Sequence, residues 1–377
     1  MKHLRRRSLM RSGAAALLGG AGLAACASGP EAKAGTQDMS APRRGTWRMP
    51  AESAEHARTF LAWPPRDSVW EEYAEDAQRD IAGIARALAD FEPVTLLAAP
   101  GELKAARRAC GADVEILPVP VDDLWIRDSG PTFVAGAKGL EAIDFHFNGW
   151  GGKQEHRRDA RVARGILQRH RVPRIDAQLT AEGGALEVDG HGTLLATESS
   201  LVNANRNPGM SRDAVEAELK RLLGVTEVIW LPGVRGRDIT DYHIDALARF
   251  CEDGKLLLSR PPENGAAVWR RAYETSRRIL EKATDARGRQ LEIIDLPEAD
   301  PSRLGRRGPE FLGGYANYYV ANGAVLVPRF GDRKSDRNAA SLIGELHPGR
   351  EVVPVEIPMI AEGGGGIHCS TQQQPAP

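Results

Sequence analysis

Residues 185–231 read ALEVDGHGTLLATESSLVNANRNPGMSRDAVEAELKRLLGVTEVIWL and contain the pattern that decides the fold. Two apolar runs flank the turn 189–192, whose Asp-Gly pair is favoured in tight hairpins because the backbone there needs a positive φ. Ser211 is a good N-cap for a helix in which apolar residues recur at helical spacing. A β-branched run, 227–231, follows. This segment therefore predicts a unit made of a hairpin, a helix and a strand.

The same order of elements recurs roughly five times along the chain. Amphipathic helices are expected at about 75–90, 157–170, 212–223, 267–283 and 335–347. The runs that follow the helices predict strands at 114–121, 174–179, 227–231, 291–296 and 351–357. Hairpin patterns occur at 132–147, 185–197, 246–258 and 318–327.

One such unit cannot bury its own apolar face, so the units should pack around a common axis. The alternative is a doubly wound sheet, which would place one strand between successive helices, whereas this chain mostly has three. We therefore predict a single catalytic α/β domain over residues 46–377, built as a five-bladed α/β propeller of ββαβ modules around a central site.

A loop rich in polar residues or glycine lies between each post-helix strand and the next hairpin. These five loops are 122–131, 181–184, 241–245, 311–317 and 362–369. Loops related by rotation would converge at one end of the axis, and their glycines would let backbone approach a small ligand. A lone cysteine is more often buried and inert. The convergence of separate modules nevertheless favours a catalytic site containing Asp128, Glu182, His243, Asp245, Asn317 and Cys369.

The first 45 residues differ from the rest in composition. Residues 1–25 resemble a twin-arginine signal followed by a lipobox, Leu23-Ala24-Ala25-Cys26, in which Cys26 would be lipidated. A plain cleaved signal or a disordered basic tail are the alternatives. Residues 26–45 are small and polar, as in a flexible tether. The expected location is exported, either periplasmic or anchored to the envelope through Cys26, with no other membrane contact.

Composition excludes several classes of protein. The 377 residues carry a formal net charge of -1, which gives no electrostatic reason to expect a nucleic-acid partner. Four cysteines, at positions 26, 110, 251 and 369, are fewer than an exported disulfide-held protein would usually have. No Cys/His cluster suggests a metal site. The oligomeric state stays open, with a homodimer among the options.

Several long motifs occur in order along the chain: MPAE (49–52), LAWP (61–64), WIRDSGP (125–131), FNGWGGK (147–153), EGG (182–184), NRNP (205–208), HID (243–245) and IHCSTQQ (367–373). In these motifs the chain resembles the agmatine deiminase family of the guanidino-group-modifying superfamily, which also contains arginine and peptidylarginine deiminases. The resemblance runs from about Met49 to the C-terminus and implies the pentein form of the propeller.

The resemblance also implies roles for individual residues. Cys369 would be the nucleophile, His243 the general acid/base, and Asp128 and Asp245 the carboxylates that grip the guanidinium. Glu182 would support the histidine. Further substrate contacts are expected from Trp63, Trp125, Asn317 and Gly366. No metal or organic cofactor is required, because a thiolate can attack the central carbon while the histidine supplies the proton for departing ammonia.

The predicted reaction is deimination of a small cationic guanidino substrate. Agmatine is preferred, giving N-carbamoylputrescine and ammonia as in putrescine synthesis, since the loop 148–153 lacks the arginines that carboxylate-bearing substrates require. Alternatives are an exported arginine or peptidylarginine deiminase and a non-catalytic envelope-anchored binder of cationic amines. The chain departs from the family at Tyr242, where glycine is usual, and at Gly366, where asparagine is usual.

Overall fold

The computed structural model describes residues 47–137, 139–251 and 254–377. The predicted signal, Cys26 and the whole predicted tether fall within residues 1–46, which lie outside the described residues. No helix in the described ranges combines the length and the apolar character needed to cross a membrane.

The predicted helices and strands are found within these ranges, together with elements that were not predicted. The helices are α1 (Ala74–Ala89), α2 (Leu103–Cys110), α3 (Ile126–Ser129), α4 (Gly149–Gly152), α5 (Val162–His170), α6 (Glu198–Leu201), α7 (Arg212–Leu223), α8 (Ala267–Leu280), α9 (Arg333–Leu346) and α10 (Pro358–Glu362). The strands are β1 (Trp47–Arg48), β2 (His56–Ala62), β3 (Val94–Leu97), β4 (Val114–Leu117), β5 (Thr132–Gly136), β6 (Gly139–Asp144), β7 (Arg174–Asp176), β8 (Glu187–Val188), β9 (Thr193–Thr197), β10 (Glu227–Leu231), β11 (Ala248–Phe250), β12 (Lys255–Arg260), β13 (Glu292–Pro297), β14 (Tyr319–Ala321), β15 (Ala324–Arg329), β16 (Glu351–Glu356) and β17 (Gln372–Pro375).

The strands of the described ranges form five sheets that repeat one plan. Four of them contain an antiparallel hairpin whose second strand pairs in parallel with the strand that follows a helix. These sets are β5-β6-β7, β8-β9-β10, β11-β12-β13 and β14-β15-β16. A parallel neighbour needs a crossover connection, and α5, α7, α8 and α9 provide it.

The fifth sheet is built from both ends of the chain. Its order is β17-β2-β3-β4, and β17 pairs antiparallel with β2, so that Gln372 lies opposite Phe60. The C-terminal strand therefore supplies the hairpin partner that the first module lacks in sequence. This sheet has a second crossover through α2, a helix that the hydrophobic pattern did not predict.

Helix α7 shows how local sequence fixes one unit. The Ser211 side chain accepts a hydrogen bond from the backbone N–H of Ala214 at 3.2 Å, and Gly224 ends the helix in a left-handed conformation (φ 67°). An N-cap of this type stabilises a helix by about 1 kcal/mol. Leu219 and Leu222 are fully buried in an apolar cluster that also contains Val188 of β8 and Leu194 of β9. Truncating either to alanine should cost roughly 2–5 kcal/mol.

Candidate active site

The proposed catalytic residues lie just before the first strand of the antiparallel pair in each sheet. Asp128 lies in α3, before β5, and Glu182 precedes the short 3₁₀ turn that leads into β8. His243 and Asp245 flank the start of the turn before β11, and Asn317 ends the turn before β14. Cys369 lies three residues before β17. Each sheet thus contributes to the site from an equivalent position.

Cys369 is held by one asparagine and one aspartate. The Asn317 Nδ2 lies 3.1 Å from the Cys369 Sγ, while the Asn317 Oδ1 accepts a hydrogen bond from the Cys369 backbone N–H at 3.0 Å. On the other side, the thiol donates to the Asp245 Oδ2 at 3.3 Å. The amide therefore fixes both the backbone and the sulfur of the cysteine next to a carboxylate.

Asp245 is supported from behind by a buried ionic network. Its Oδ2 accepts from the His368 Nδ1 at 2.8 Å, and the His368 Nε2 lies 2.8 Å from the Glu52 Oε2. Glu52 is held in turn by Arg127 at 3.1 Å and Arg249 at 2.8 Å. His368 can donate to both carboxylates only when each ring nitrogen carries a proton. We call these four residues, His368, Glu52, Arg127 and Arg249, the brace.

The brace sets the charge of Asp245. Burial alone would raise the pKa of Asp245, but the hydrogen bond and charge of His368, followed by the charges of His243 and Arg249, outweigh it and lower the pKa to about 2. Among the described side chains, its Oδ1 is buried without a hydrogen-bond partner. A buried carboxylate oxygen that is charged and unpartnered is an acceptor available to a cationic ligand.

His243 lies between two carboxylates. Its Nε2 is 3.4 Å from the Glu182 Oε2 and its Nδ1 is 3.7 Å from the Asp128 Oδ1. Burial would lower the pKa of His243, but Asp128, Glu182 and Asp245 outweigh it and raise the pKa to about 9. The ring is therefore protonated at neutral pH and able to donate a proton.

Arg206 fixes Glu182 behind the histidine. The Arg206 Nε donates to the Glu182 Oε1 at 2.9 Å, and the other end of the guanidinium contacts Asp241. Burial opposes the charge of Glu182, but Arg206 and His243 lower its pKa. Both side chains of the Arg206–Glu182 pair are fully buried, which limits the carboxylate to one orientation.

Asp128 has a different environment from Asp245. Neutral groups donate to it: the Trp150 Nε1 to its Oδ2 at 2.9 Å and the Gly184 backbone N–H to its Oδ1 at 3.0 Å. Burial raises the pKa of Asp128, and Asp245 and Glu182 add to this effect, although His243 and the Trp150 hydrogen bond oppose it. Outside His243, no cationic partner stabilises this carboxylate within the described ranges.

Two glycines make room for this cluster. A Cβ at Gly184 would lie 2.6 Å from the His243 Nδ1 and 2.9 Å from the Asp128 Oδ1. A Cβ at Gly366 would lie 2.5 Å from the Asn317 Oδ1. Contacts below 3.0 Å are essentially excluded for real side chains, so the departure at Gly366 lets Asn317 approach Cys369 closely.

The other departure from the family occurs on a strained loop. Asp241 and Tyr242 both have left-handed backbone conformations, with φ of 61° and 71°. Such a conformation costs a non-glycine residue roughly 1–2 kcal/mol. The Thr197 hydroxyl donates to the Tyr242 carbonyl at 2.7 Å, and the Ser199 hydroxyl donates to the Asp241 carbonyl at 2.6 Å. These bonds hold the loop that presents His243.

The Cys369 thiol is not poised to ionise by itself. Burial raises the pKa of Cys369 well above its ordinary value, and the charges of Asp245 and Asp128 raise it further, against weaker help from the Gly366 backbone and Asn317. A cation bound between the two aspartates would offset their charges and so lower the pKa of Cys369. The site therefore suits a positively charged ligand better than a neutral one.

The cluster opens into a cavity of about 320 Å³, which Cys369, His243 and Asp245 line. Trp63 and Trp125 are buried in the apolar cluster against which Cys369 also packs, and the Trp125 ring lies against Gly365. Their contact with substrate stays a prediction. Sequence reasoning assigned no role to the brace, to Arg206 or to Trp150, although the quoted motifs contain most of them. For the brace, the signal available in the sequence was a charged residue, such as Glu52 or Arg127, inside an otherwise largely apolar motif.

Comparison with known proteins places this site in a class. A family model described as Porphyromonas-type peptidyl-arginine deiminase matches residues 48–375. A candidate agmatine deiminase of Streptomyces coelicolor is 42% identical over 344 residues, covering 88% of this chain and 99% of the relative. The agmatine deiminase of Stutzerimonas stutzeri is 38% identical over 362 residues, covering 90% and 98%.

Solved structures share the fold. The agmatine deiminase of Enterococcus faecalis superimposes with a TM-score of 0.82 at 29% sequence identity, covering 88% of this chain and 96% of that one. Fold and site together define a hydrolase of the class that acts on guanidino C–N bonds. The chain belongs to the Porphyromonas-type peptidyl-arginine deiminase family.

Proposed function

We propose that this enzyme hydrolyses agmatine to N-carbamoylputrescine and ammonia through a covalent amidino-thioether on Cys369. One observation carries the proposal: the Cys369 Sγ lies 3.3 Å from the Asp245 Oδ2, at a cavity where the other oxygen of that carboxylate is unpartnered. The agmatine deiminases among the relatives support the choice of substrate.

In the first half of the reaction, Asp245 and Asp128 engage the N–H groups of the guanidinium and neutralise its charge. The bound cation lowers the pKa of Cys369, and the thiol loses its proton to solvent. The thiolate forms a C–S bond with the central carbon. His243 donates its proton to one amino group, the C–N bond breaks, and ammonia leaves.

In the second half, a water molecule replaces ammonia. His243, now neutral, removes a proton from this water, and the oxygen forms a bond with the amidino carbon. The C–S bond breaks, which returns the thiolate, and the protonated ureido product loses its extra proton to solvent and leaves. Glu182 stabilises the imidazolium that forms at each turn, because its own charge is secured by Arg206.

We also propose the pentein arrangement, in which the five sheets are blades around one axis. The repeated strand plan and the equivalent positions of the site residues support it. Lipid anchoring at Cys26 stays a prediction, and mass spectrometry of the mature N-terminus would test it.

Arginine or peptidylarginine is the second candidate substrate, and one observation favours it. Arg237 is exposed and lines the same cavity, where it could pair with a carboxylate. Ammonia release from agmatine, free arginine and a peptide ending in arginine separates the two. We expect agmatine to give the highest kcat/KM and a Cys369→Ser variant to give none. Activity on the peptide alone would refute agmatine as the substrate.

A further inference from the structure

The part of the active-site cavity formed by Tyr242, Trp269 and Glu298 has no assigned role. The rings of Tyr242 and Trp269 pack with centroids 4.9 Å apart and an interplanar angle of 38°, and both residues line the cavity. Pro261 and Pro262 add further apolar wall. Tyr242 is the residue that stands where the family usually has glycine. The wall therefore contains one departure from the family pattern and lies next to His243.

Glu298 lies in this wall, directly after β13. The Ser259 hydroxyl donates to its Oε1 at 3.0 Å, and Glu298 is partly buried. Within the described ranges, no lysine or arginine forms an ion pair with it. Burial raises the pKa of Glu298 to about 7, with only the Ser259 hydrogen bond opposing the rise. A carboxylate in this state gains from any cation that comes to rest beside it.

The apolar wall suits the methylene groups of an aminoalkyl chain, and Glu298 suits its ammonium group. Burial of methylene groups against proline and aromatic surfaces is favourable, because it removes apolar surface from water. An ammonium group is attracted both by a carboxylate and by the face of an aromatic ring within about 6 Å. Glu298, Tyr242 and Trp269 all line this cavity, so the acid and the rings can contact the same ligand.

We propose that Glu298, Tyr242 and Trp269 form a second cation site, which binds the primary ammonium at the far end of an alkylguanidine. This inference rests on the proposed function, because it assumes that the guanidinium occupies the Asp245 end of the cavity. It adds a specificity determinant: the enzyme selects substrates with two cations separated by an apolar spacer. Glu298 would repel a carboxylate at the far end, whereas Arg237 on the same cavity would attract one.

The test compares agmatine with n-butylguanidine, which has the same chain without the ammonium. The wild type should show a kcat/KM at least about 10-fold higher for agmatine. In Glu298→Gln, kcat/KM for agmatine should fall about 10-fold to 100-fold, mainly through KM, because a charge-assisted contact is lost. The kcat/KM for butylguanidine should stay within about twofold of the wild-type value, because this compound has no ammonium group for Glu298 to bind.

Glu292→Gln is the matched control, since Glu292 is an exposed acid at the start of β13 and lies outside the cavity. It should leave both substrates within about twofold of wild type. If Glu298→Gln does not fold, Glu298→Asp should lower the agmatine preference while keeping turnover of butylguanidine. Equal losses on both substrates in Glu298→Gln, or a wild type without preference, would overturn the second site while leaving deimination intact. A wild type that releases ammonia from neither compound would instead refute the proposed function.

Discussion

The surroundings of Asp245 and Asp128 form the most instructive contrast in this molecule. Both carboxylates are buried and both raise the pKa of His243, yet the pKa of Asp245 is lowered to about 2 while that of Asp128 is raised. The cause lies behind them, because Asp245 contacts the charged brace whereas Asp128 accepts from a tryptophan and a backbone amide. Asp245 is therefore ionised before the substrate arrives, whereas burial and the neighbouring carboxylates oppose the charge of Asp128.

The largest expected effect comes from neutralising each carboxylate in turn. Asp245→Asn should lower kcat/KM for agmatine by about 1,000-fold, because it removes the ionised acceptor and leaves the charge of the brace unbalanced. Asp128→Asn should lower it by about 100-fold, because its one amide oxygen can still accept from either Trp150 or Gly184 and no ionic network behind it is left unbalanced. Steady-state ammonia release measures both values. A larger loss in Asp128→Asn would reverse the proposed division between the two.

A smaller effect is expected when His368 is replaced in the brace. Without this partner the pKa of Asp245 should rise, because burial then prevails. In the wild type Asp245 stays ionised from pH 9 down to about 2, so it imposes no acid limb in the usual assay range. In His368→Gln, kcat/KM should fall about 10-fold to 100-fold at pH 7 and fall further as the pH is lowered. The pH profile of kcat/KM measures this.

His191→Gln is the control for the brace experiment, because His191 is exposed on the turn between β8 and β9. Its profile should match that of the wild type. A His368→Gln profile that also matches the wild type in shape, with only a uniform drop, would show that His368 has a structural role and does not govern the charge of Asp245.

The smallest expected effect concerns the strained loop that carries His243. Tyr242→Ala and Tyr242→Gly both lose the packing on Trp269, but only alanine keeps the cost of the left-handed conformation (φ 71°). Tyr242→Gly should therefore be more stable than Tyr242→Ala by about 1 kcal/mol. The free energy of unfolding in urea gives the difference. Equal stability of the two variants would mean that the loop is not strained in this way.

The sequence predicted the parts of this fold that depend on local signals and missed those that depend on long-range pairing. The bounds of α7 and β10 were predicted to the residue, because a serine cap, helical spacing and a β-branched run are local signals. The pairing of β17 with β2 was not predicted, because it joins the two ends of the described chain. Helix α2 was missed since only Ala106 and Cys110 of its eight residues are buried.

For the site, sequence supplied the residue types and their convergence, but not their charges. The brace joins positions 52, 127, 249 and 368, which lie in four separate parts of the chain, and no spacing rule connects them. Its effect on Asp245 depends on burial and on distances of about 3 Å. The opposite behaviour of two aspartates that look equivalent in sequence therefore required the three-dimensional arrangement.

Intact-mass analysis of enzyme quenched in acid during turnover of agmatine tests the central claim most directly. If Cys369 attacks a guanidinium held by Asp128 and Asp245, part of the wild-type protein should gain the mass of agmatine less one ammonia, and peptide mapping should place this adduct on Cys369. Cys369→Ser should carry no adduct. Ammonia release with the cysteine demonstrably unmodified throughout, or turnover by Cys369→Ser, would contradict a covalent role for this thiol.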